Sequence, residues 1–419
     1  MDTREAITLD GRAQQRLLIL NHILAGELSA AEAATYLRLS LRSVRRLLAR
    51  YRSAEGAAAL VHGNRGRAPA NRLPDDSRTR LVELATSTYA GVNRAHLAEL
   101  LAEREDLEVP CRTLRRVLSE AGLPPVRRRR PRGHRRRRER MSQAGLLLQV
   151  DGSRHDWLEG RGPWLTLVGA IDDATGVVTG AVFREQEDTA GYLAVLVQTA
   201  QGHGLPLGIY SDRHTIFWRG KSSPSLAEQF SGRHSRTQLG RALEVAAIAW
   251  IGARSPQAKG RVERLWGTAQ DRLLSELRLA GASTIAEANA VLADYLPRHN
   301  ARFSVPPADA EPAWRSLAGR PPETVFCFRH PRSVARDGTF TLAGRDLMIA
   351  GRSMAGWKGR VLEVQERLDG SLWVELEGEF QRAIPAPERP VVLRAAGPRK
   401  RYVPPPDHPW RRYPAARPR

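Results

Sequence analysis

Three closely spaced β-rich runs, Leu146–Val150, Leu165–Ile171 and Val177–Phe183, constrain the fold of this chain more than any other feature. Gly176, directly after Thr175, supplies the turn between the second and third, as in an antiparallel meander. The pattern then alternates: a helix at 189–201, a strand at 205–211, a helix near 238–245, a strand near 247–252 and a long helix from Lys259. The order is β-β-β-α-β-α-β-α, a mixed α/β domain.

That order is the order of the RNase H-like fold, and three carboxylates sit at informative places in it. Asp151 ends the run Leu146–Val150, Asp212 ends the run Leu205–Ser211, and Glu263 lies inside the helical segment Lys259–Trp266. Two acids at strand ends and one on a later helix can gather a site for hard divalent cations. Phosphodiester cleavage needs a nucleophilic oxygen at neutral pH and charge compensation at the leaving oxygen, and two cations about 3.5–4 Å apart supply both. Magnesium suits carboxylate oxygens, with manganese an acceptable substitute. Asp151 is assigned as the bridging ligand, with Asp212 and Glu263 each completing one of two ions. Other readings stand beside this one. Glu263 is also placed to pair with Lys259 at i, i+4, and Asp172 and Asp173 fall in a hairpin turn whose local chemistry explains them.

Charge narrows the partner. The chain of 419 residues carries a formal +21, and residues 1–140 hold 29 Lys+Arg against 16 Asp+Glu. An Arg-rich composition would explain a high mean but not this clustering, so a polyanion is expected. Residues 127–140 alone contain ten arginines and one glutamate. Such a run repels itself and binds phosphate by counterion release without sequence preference. No apolar run approaches the length of a membrane span. The two cysteines, Cys111 and Cys327, have no CxxC partners, which suits a reducing cytoplasm and, here, a place on the nucleoid.

The first third reads as helical. Ser29-Ala30-Ala31-Glu32 is a capping box, and Ser40 is the N-cap of a helix with Val44, Leu47, Leu48 and Tyr51 inward. Arg42, Arg45 and Arg46 are left outside, as in a helix-turn-helix that presents its second helix to a major groove. A second such unit places Leu114, Val117 and Leu118 inward and Arg112, Arg115 and Arg116 outward. Beyond the core, turn signals at Asp337-Gly338, Ala343-Gly344 and Asp369-Gly370 punctuate short alternating strands. The chain is therefore expected to be multidomain: a helix-turn-helix domain (1–56), a basic linker (57–72), a second helix-turn-helix-like domain (73–126), an Arg-rich linker (127–144), an α/β RNase H-like core (145–310), a small β-barrel (320–392) and a basic Pro-rich tail (393–419).

Four motifs in order, Gln149–Pro163, Ala170–Gly176, Tyr210–His214 and Ser255–Arg264, resemble bacterial insertion-sequence transposases. The superfamily is that of the DDE transposases with a retroviral-integrase core, and the ISNCY-type group is similar. This resemblance implies a magnesium-dependent enzyme that binds the terminal inverted repeats of double-stranded DNA. It would hydrolyse strands to free 3′-OH ends and join them to target DNA as a homo-oligomer. It matches Asp151, Asp212 and Glu263 to the catalytic acids and Lys259 to a DNA-contacting lysine. Two departures stand out. Fifty residues separate Asp212 from Glu263, more than the retroviral spacing, with the polar stretch 219–237 as the insert. Arg38 also occupies a turn position where glycine is common. The rival reading is a transposase-derived DNA-binding regulator without catalysis, and the presence of all three acids argues against it. A third is an RNase H-like nuclease acting on structured nucleic acid, against which tandem helix-turn-helix units argue.

Overall fold

Side-chain caps set the boundaries of the N-terminal helices. In a computed structural model describing residues 9–53, 56–61, 72–126, 138–217, 236–253, 260–387 and 405–409, the chain forms two compact units, Met1–Glu83 and Leu84–Arg419. The first contains α1 (Gly11–Leu24), α2 (Ala30–Leu37) and α3 (Leu41–Arg52). The expected capping box forms: Ser29 accepts from the Glu32 N–H, and the Glu32 carboxylate accepts from the Ser29 N–H at 2.8 Å. Ser40 caps α3 through the Ser43 N–H. Ile19, Ala33 and Val44 make a core among the three helices, while Arg42, Arg45 and Arg46 are exposed. Arg38 takes the left-handed conformation (φ 52, ψ 44) between α2 and α3, so the turn keeps its geometry without the glycine.

Helix α4 (Asp75–Thr86) leads towards the second unit, where α5 (Arg94–Arg104) and α6 (Cys111–Glu120) follow. As expected, Leu114, Val117 and Leu118 are buried and Arg112, Arg115 and Arg116 exposed. The five-stranded sheet consists of β1 (Leu147–His155), β2 (Leu165–Asp172), β3 (Val178–Arg184), β4 (Gly208–Ser211) and β5 (Ala249–Gly252), in the order β3-β2-β1-β4-β5. The first three are antiparallel, whereas β4 runs parallel to both β1 and β5.

Alternation along the strands divides two cores. Leu148, Val150, Val168 and Ile209 face α7 (Thr189–Gly202) and α8 (Gln238–Val245). Leu165, Leu167 and Ile171 face α9 (Val262–Leu279) and α10 (Ile285–Phe303) on the other side. The outer edge of β3 is covered by two asparagines of α10. Asn289 exchanges hydrogen bonds with the Phe183 backbone and Asn300 with that of Val178, each through both N–H and C=O. Side-chain amides thus stand in for a further strand and close the ladder to another chain.

After the short α11 (Pro322–Val325), six strands follow: β6 (Phe328–Ser333), β7 (Phe340–Leu342), β8 (Arg345–Ile349), β9 (Val361–Glu366), β10 (Leu372–Leu376) and β11 (Glu379–Pro385). They form an antiparallel sheet ordered β6-β9-β10-β11-β8-β7, whose edge strands approach each other so that it nearly closes. Gly338, Gly344 and Gly370 all take positive φ at the expected turns. Among the described residues no helix is long and apolar enough to cross a membrane. The Arg-rich run 127–137, most of the insert after Asp212 and most of the basic tail fall outside the described residues.

Candidate catalytic site

Asp151 does not end its strand. β1 continues to His155, and Asp151 is the fifth of its nine residues. The expectation failed because Gly152 to His155 are not apolar, yet β2 pairs with them throughout. Asp151 instead marks where β1 outruns its parallel neighbour. Gln149 is in register with Tyr210 on β4. Asp151 and Asp212 each follow that pair by two residues. Asp212 directly follows β4, and its Oδ1 accepts the His214 N–H at 3.1 Å.

The first turn of α9 is fastened to the same strand. The Val262 N–H donates to Gln149 Oε1 at 3.2 Å, and Trp266 Nε1 donates to Asp151 Oδ2 at 3.2 Å. Glu263 sits between these two fixed points, one turn before Trp266 on the helix. It is exposed at the helix N-terminus, where the backbone dipole favours a carboxylate. Asp151 and Glu263 are thus carried by elements held together by a buried glutamine and an indole.

Asp173, expected to be a turn residue, does more. It is fully buried, and its Oδ1 accepts from Gln149 Nε2 and Arg261 Nε, both at 2.7 Å, and from Arg138. Its Oδ2 takes the Met141 N–H. Asp173 therefore orients the glutamine that holds α9 and the arginine immediately before it. Asp172 behaves as turn chemistry predicts, accepting from the Thr175 N–H and hydroxyl. Gln149, Asp173 and Trp266 were missed as site-building residues. Their one signal in the sequence is a polar side chain at an inward strand position and an indole one turn beyond an acid.

Nearby, Trp157 is a core residue, stacked edge-on against Phe183, and Trp164 is exposed. His155 lies against Trp157 at 5.5 Å, which fits a structural role. Lys259 lies outside the described residues. Among the described residues no three His, Cys, Asp or Glu side chains converge on one metal position. The Tyr192 hydroxyl reports where charge gathers: burial first, then Glu187, then Asp151 and Asp212 push its pKa well above the usual phenol value.

A polar junction lies further along α9. His96 Nε2 on α5 meets Glu276 at 3.0 Å, Arg104 meets the same carboxylate at 2.6 Å, and Arg272 grips Glu99 at 2.5 and 3.0 Å. Asn93, the N-cap of α5, donates to Asp271 at 2.6 Å. The helix that presents Glu263 therefore also carries the anchor of the α5 segment.

Residues 16–78 match the winged helix-turn-helix family; residues 62–71 of that match lie outside the described residues. The chain is 36% identical over 375 residues to the putative transposase y4bF of Sinorhizobium fredii, covering 89% of this chain and 80% of that one. It is 29% identical to the transposase for insertion sequence IS1202 of Streptococcus pneumoniae, covering 95% and 93%. A loose structural likeness, with a TM-score of 0.29 and 16% identity, links 73% of the chain to 96% of a chain in the simian T-cell lymphotropic virus intasome in complex with PP2A regulatory subunit B56 gamma. With 36% identity to a relative over 89% of this chain and 80% of that one, the chain belongs to the bacterial insertion-sequence transposases.

Proposed function

We propose that this transposase binds the terminal inverted repeats of its element, hydrolyses strands there to free 3′-OH ends, and joins those ends to target DNA. In this reading the five-stranded sheet is an RNase H-like core, and Asp151, Asp212 and Glu263 are its catalytic acids. The observation that supports it most is the parallel register of β1 and β4, which ends two residues before Asp151 and Asp212, with the first turn of α9 tied to β1.

The donor chemistry suits magnesium: Asp151 on β1, Asp212 directly after the adjacent β4 and the exposed Glu263 of α9 would offer hard carboxylate oxygens. When bound, two divalent ions would supply an activated oxygen nucleophile and neutralise the leaving oxygen. The chain's own contribution is orientation. Trp266 holds one oxygen of Asp151, Gln149 holds the helix bearing Glu263, and Asp173 holds Gln149. The exposed arginines of α3 and α6, and Lys259, are assigned to duplex contacts, where phosphate binding supplies affinity and groove contacts supply register.

The test is purified protein with a labelled terminal-repeat duplex and magnesium, with Asp212→Asn as control. The reading requires nicked and joined products from the wild type and none from the variant. Binding without products from either would instead favour a DNA-binding regulator.

A further inference from the structure

The last residues of the Arg-rich run are built into the core. Arg138 and Arg140 are the final two of its ten arginines. Arg138 meets the carboxylate of Asp173, and Arg140 Nη1 donates to the Ala174 carbonyl at 2.9 Å. The Met141 N–H donates to Asp173 Oδ2 at 3.0 Å, and the Gly145 N–H to Asp172 Oδ1 at 2.9 Å. Between them, the carbonyls of Ser142 and Ala144 accept from the N–H groups of Asp309 and Ala313. Residues 138–145 therefore form a strap laid over the turn that follows β2.

The strap also grips the start of α9. Arg261, the residue before its first turn, donates through Nη2 to the Glu139 carbonyl at 3.0 Å and through Nε to Asp173 at 2.7 Å. Asp173 is fully buried, so its charge needs compensation inside the protein, and Arg138 and Arg261 supply it together. The same carboxylate oxygen accepts from Gln149 Nε2, and Gln149 Oε1 in turn holds the Val262 N–H. Glu263 follows directly. Without Arg138 the buried charge draws harder on Arg261 and Gln149, and the fixed point from which both hold α9 is free to shift.

We infer that Arg138 is a positioning residue for Glu263: it fixes Asp173, and through Asp173, Arg261 and Gln149 it sets the first turn of α9. This separates it from a phosphate contact, the role that the sequence assigns to the run as a whole. The inference rests on the catalytic reading above.

The experiment compares full-length Arg138→Ala with the wild type by three readouts. In the DNA-free protein, hydrogen exchange in the first turn of α9 should quicken severalfold while the strands of the sheet keep their protection. With saturating terminal-repeat duplex and magnesium, single-turnover cleavage should fall about tenfold or more. The slope of log affinity against log salt should keep its wild-type value, where loss of a phosphate contact would reduce it by about one. Wild-type exchange in α9, a wild-type cleavage rate, or a slope reduced by about one each overturns the inference and leaves the catalytic reading standing. Wild-type cleavage by Asp212→Asn overturns the catalytic reading and the positioning role with it. If Arg138→Ala fails to fold, Arg138→Gln decides by the same readouts, because its amide can still donate to Asp173 but carries no charge.

Discussion

Arg38 holds a left-handed conformation that costs an L-residue other than glycine roughly 1–2 kcal/mol. Arg38→Gly should therefore stabilise the α2–α3 turn by about 1 kcal/mol, read as slower hydrogen exchange of the α2 and α3 amides in the full-length chain. Unchanged exchange would mean that the Arg38 side chain offsets the strain. Asp173 presents the opposite case, a buried charge satisfied from every side. Asp173→Asn keeps the shape but turns an acceptor into a donor facing Gln149 and Arg261. It should cost about 3 kcal/mol and expose the first turn of α9 to exchange. Cleavage should fall with it although Asp151, Asp212 and Glu263 are untouched.

At the scale of elements, α9 is a rod with Glu263 at one end and the α5 junction along its side, and the junction is sensitive to acid. Burial first, and the charge of Arg272 with it, push the His299 imidazole down to about 4. Burial would raise the Glu276 carboxyl, but the His96 hydrogen bond and the charges of Arg298, Arg104 and His96 outweigh it and hold the group at about 2. The unfolded chain then binds a proton at the histidine from about 6.5 downward and at the glutamate from about 4.5, while the folded chain does not. Stability is therefore full above about pH 6.5 and falls on acidification, through His299 down to about pH 4 and through Glu276 down to about pH 2. Each contributes at most about 3 kcal/mol. Melting temperatures measured across this range should show the decline, and His299→Leu should flatten its upper part. A melting temperature that rises on acidification would contradict the assignment.

How legible these elements were depends on how local their causes are. The Ser29 capping box, the α6 face and the glycine turns of the C-terminal sheet rest on neighbours within a few residues, and the sequence pattern locates them. The continuation of β1 past Asp151 depends on pairing with β2, and nothing within Gly152–His155 announces it. Helix α10 runs through Pro297, a residue that argues locally against a helix, because Thr284 and Glu287 cap it and its asparagines bind the edge of β3. The two aspartates stand out in the sequence because each follows an apolar run. Asp173 was not, since its partners come from three distant segments.

For the whole molecule, the net charge of +21 governs association with DNA. The logarithm of the binding constant for a terminal-repeat duplex should fall linearly with the logarithm of salt concentration. Replacing Arg42 and Arg46 by alanine should lower affinity and reduce that slope by about two, with folding of the sheet unchanged. Equal slopes would remove those arginines from the interface. The central claim, that Asp212 holds a divalent cation beside Asp151, is tested most directly by exchanging its hard oxygen ligand for a soft sulfur. Single-turnover cleavage by Asp212→Cys should fall about a thousandfold or more in magnesium, some 4 kcal/mol, and recover partly in the more thiophilic manganese. Asp212→Ala should stay inactive in both. Wild-type cleavage by Asp212→Cys in magnesium would contradict the account.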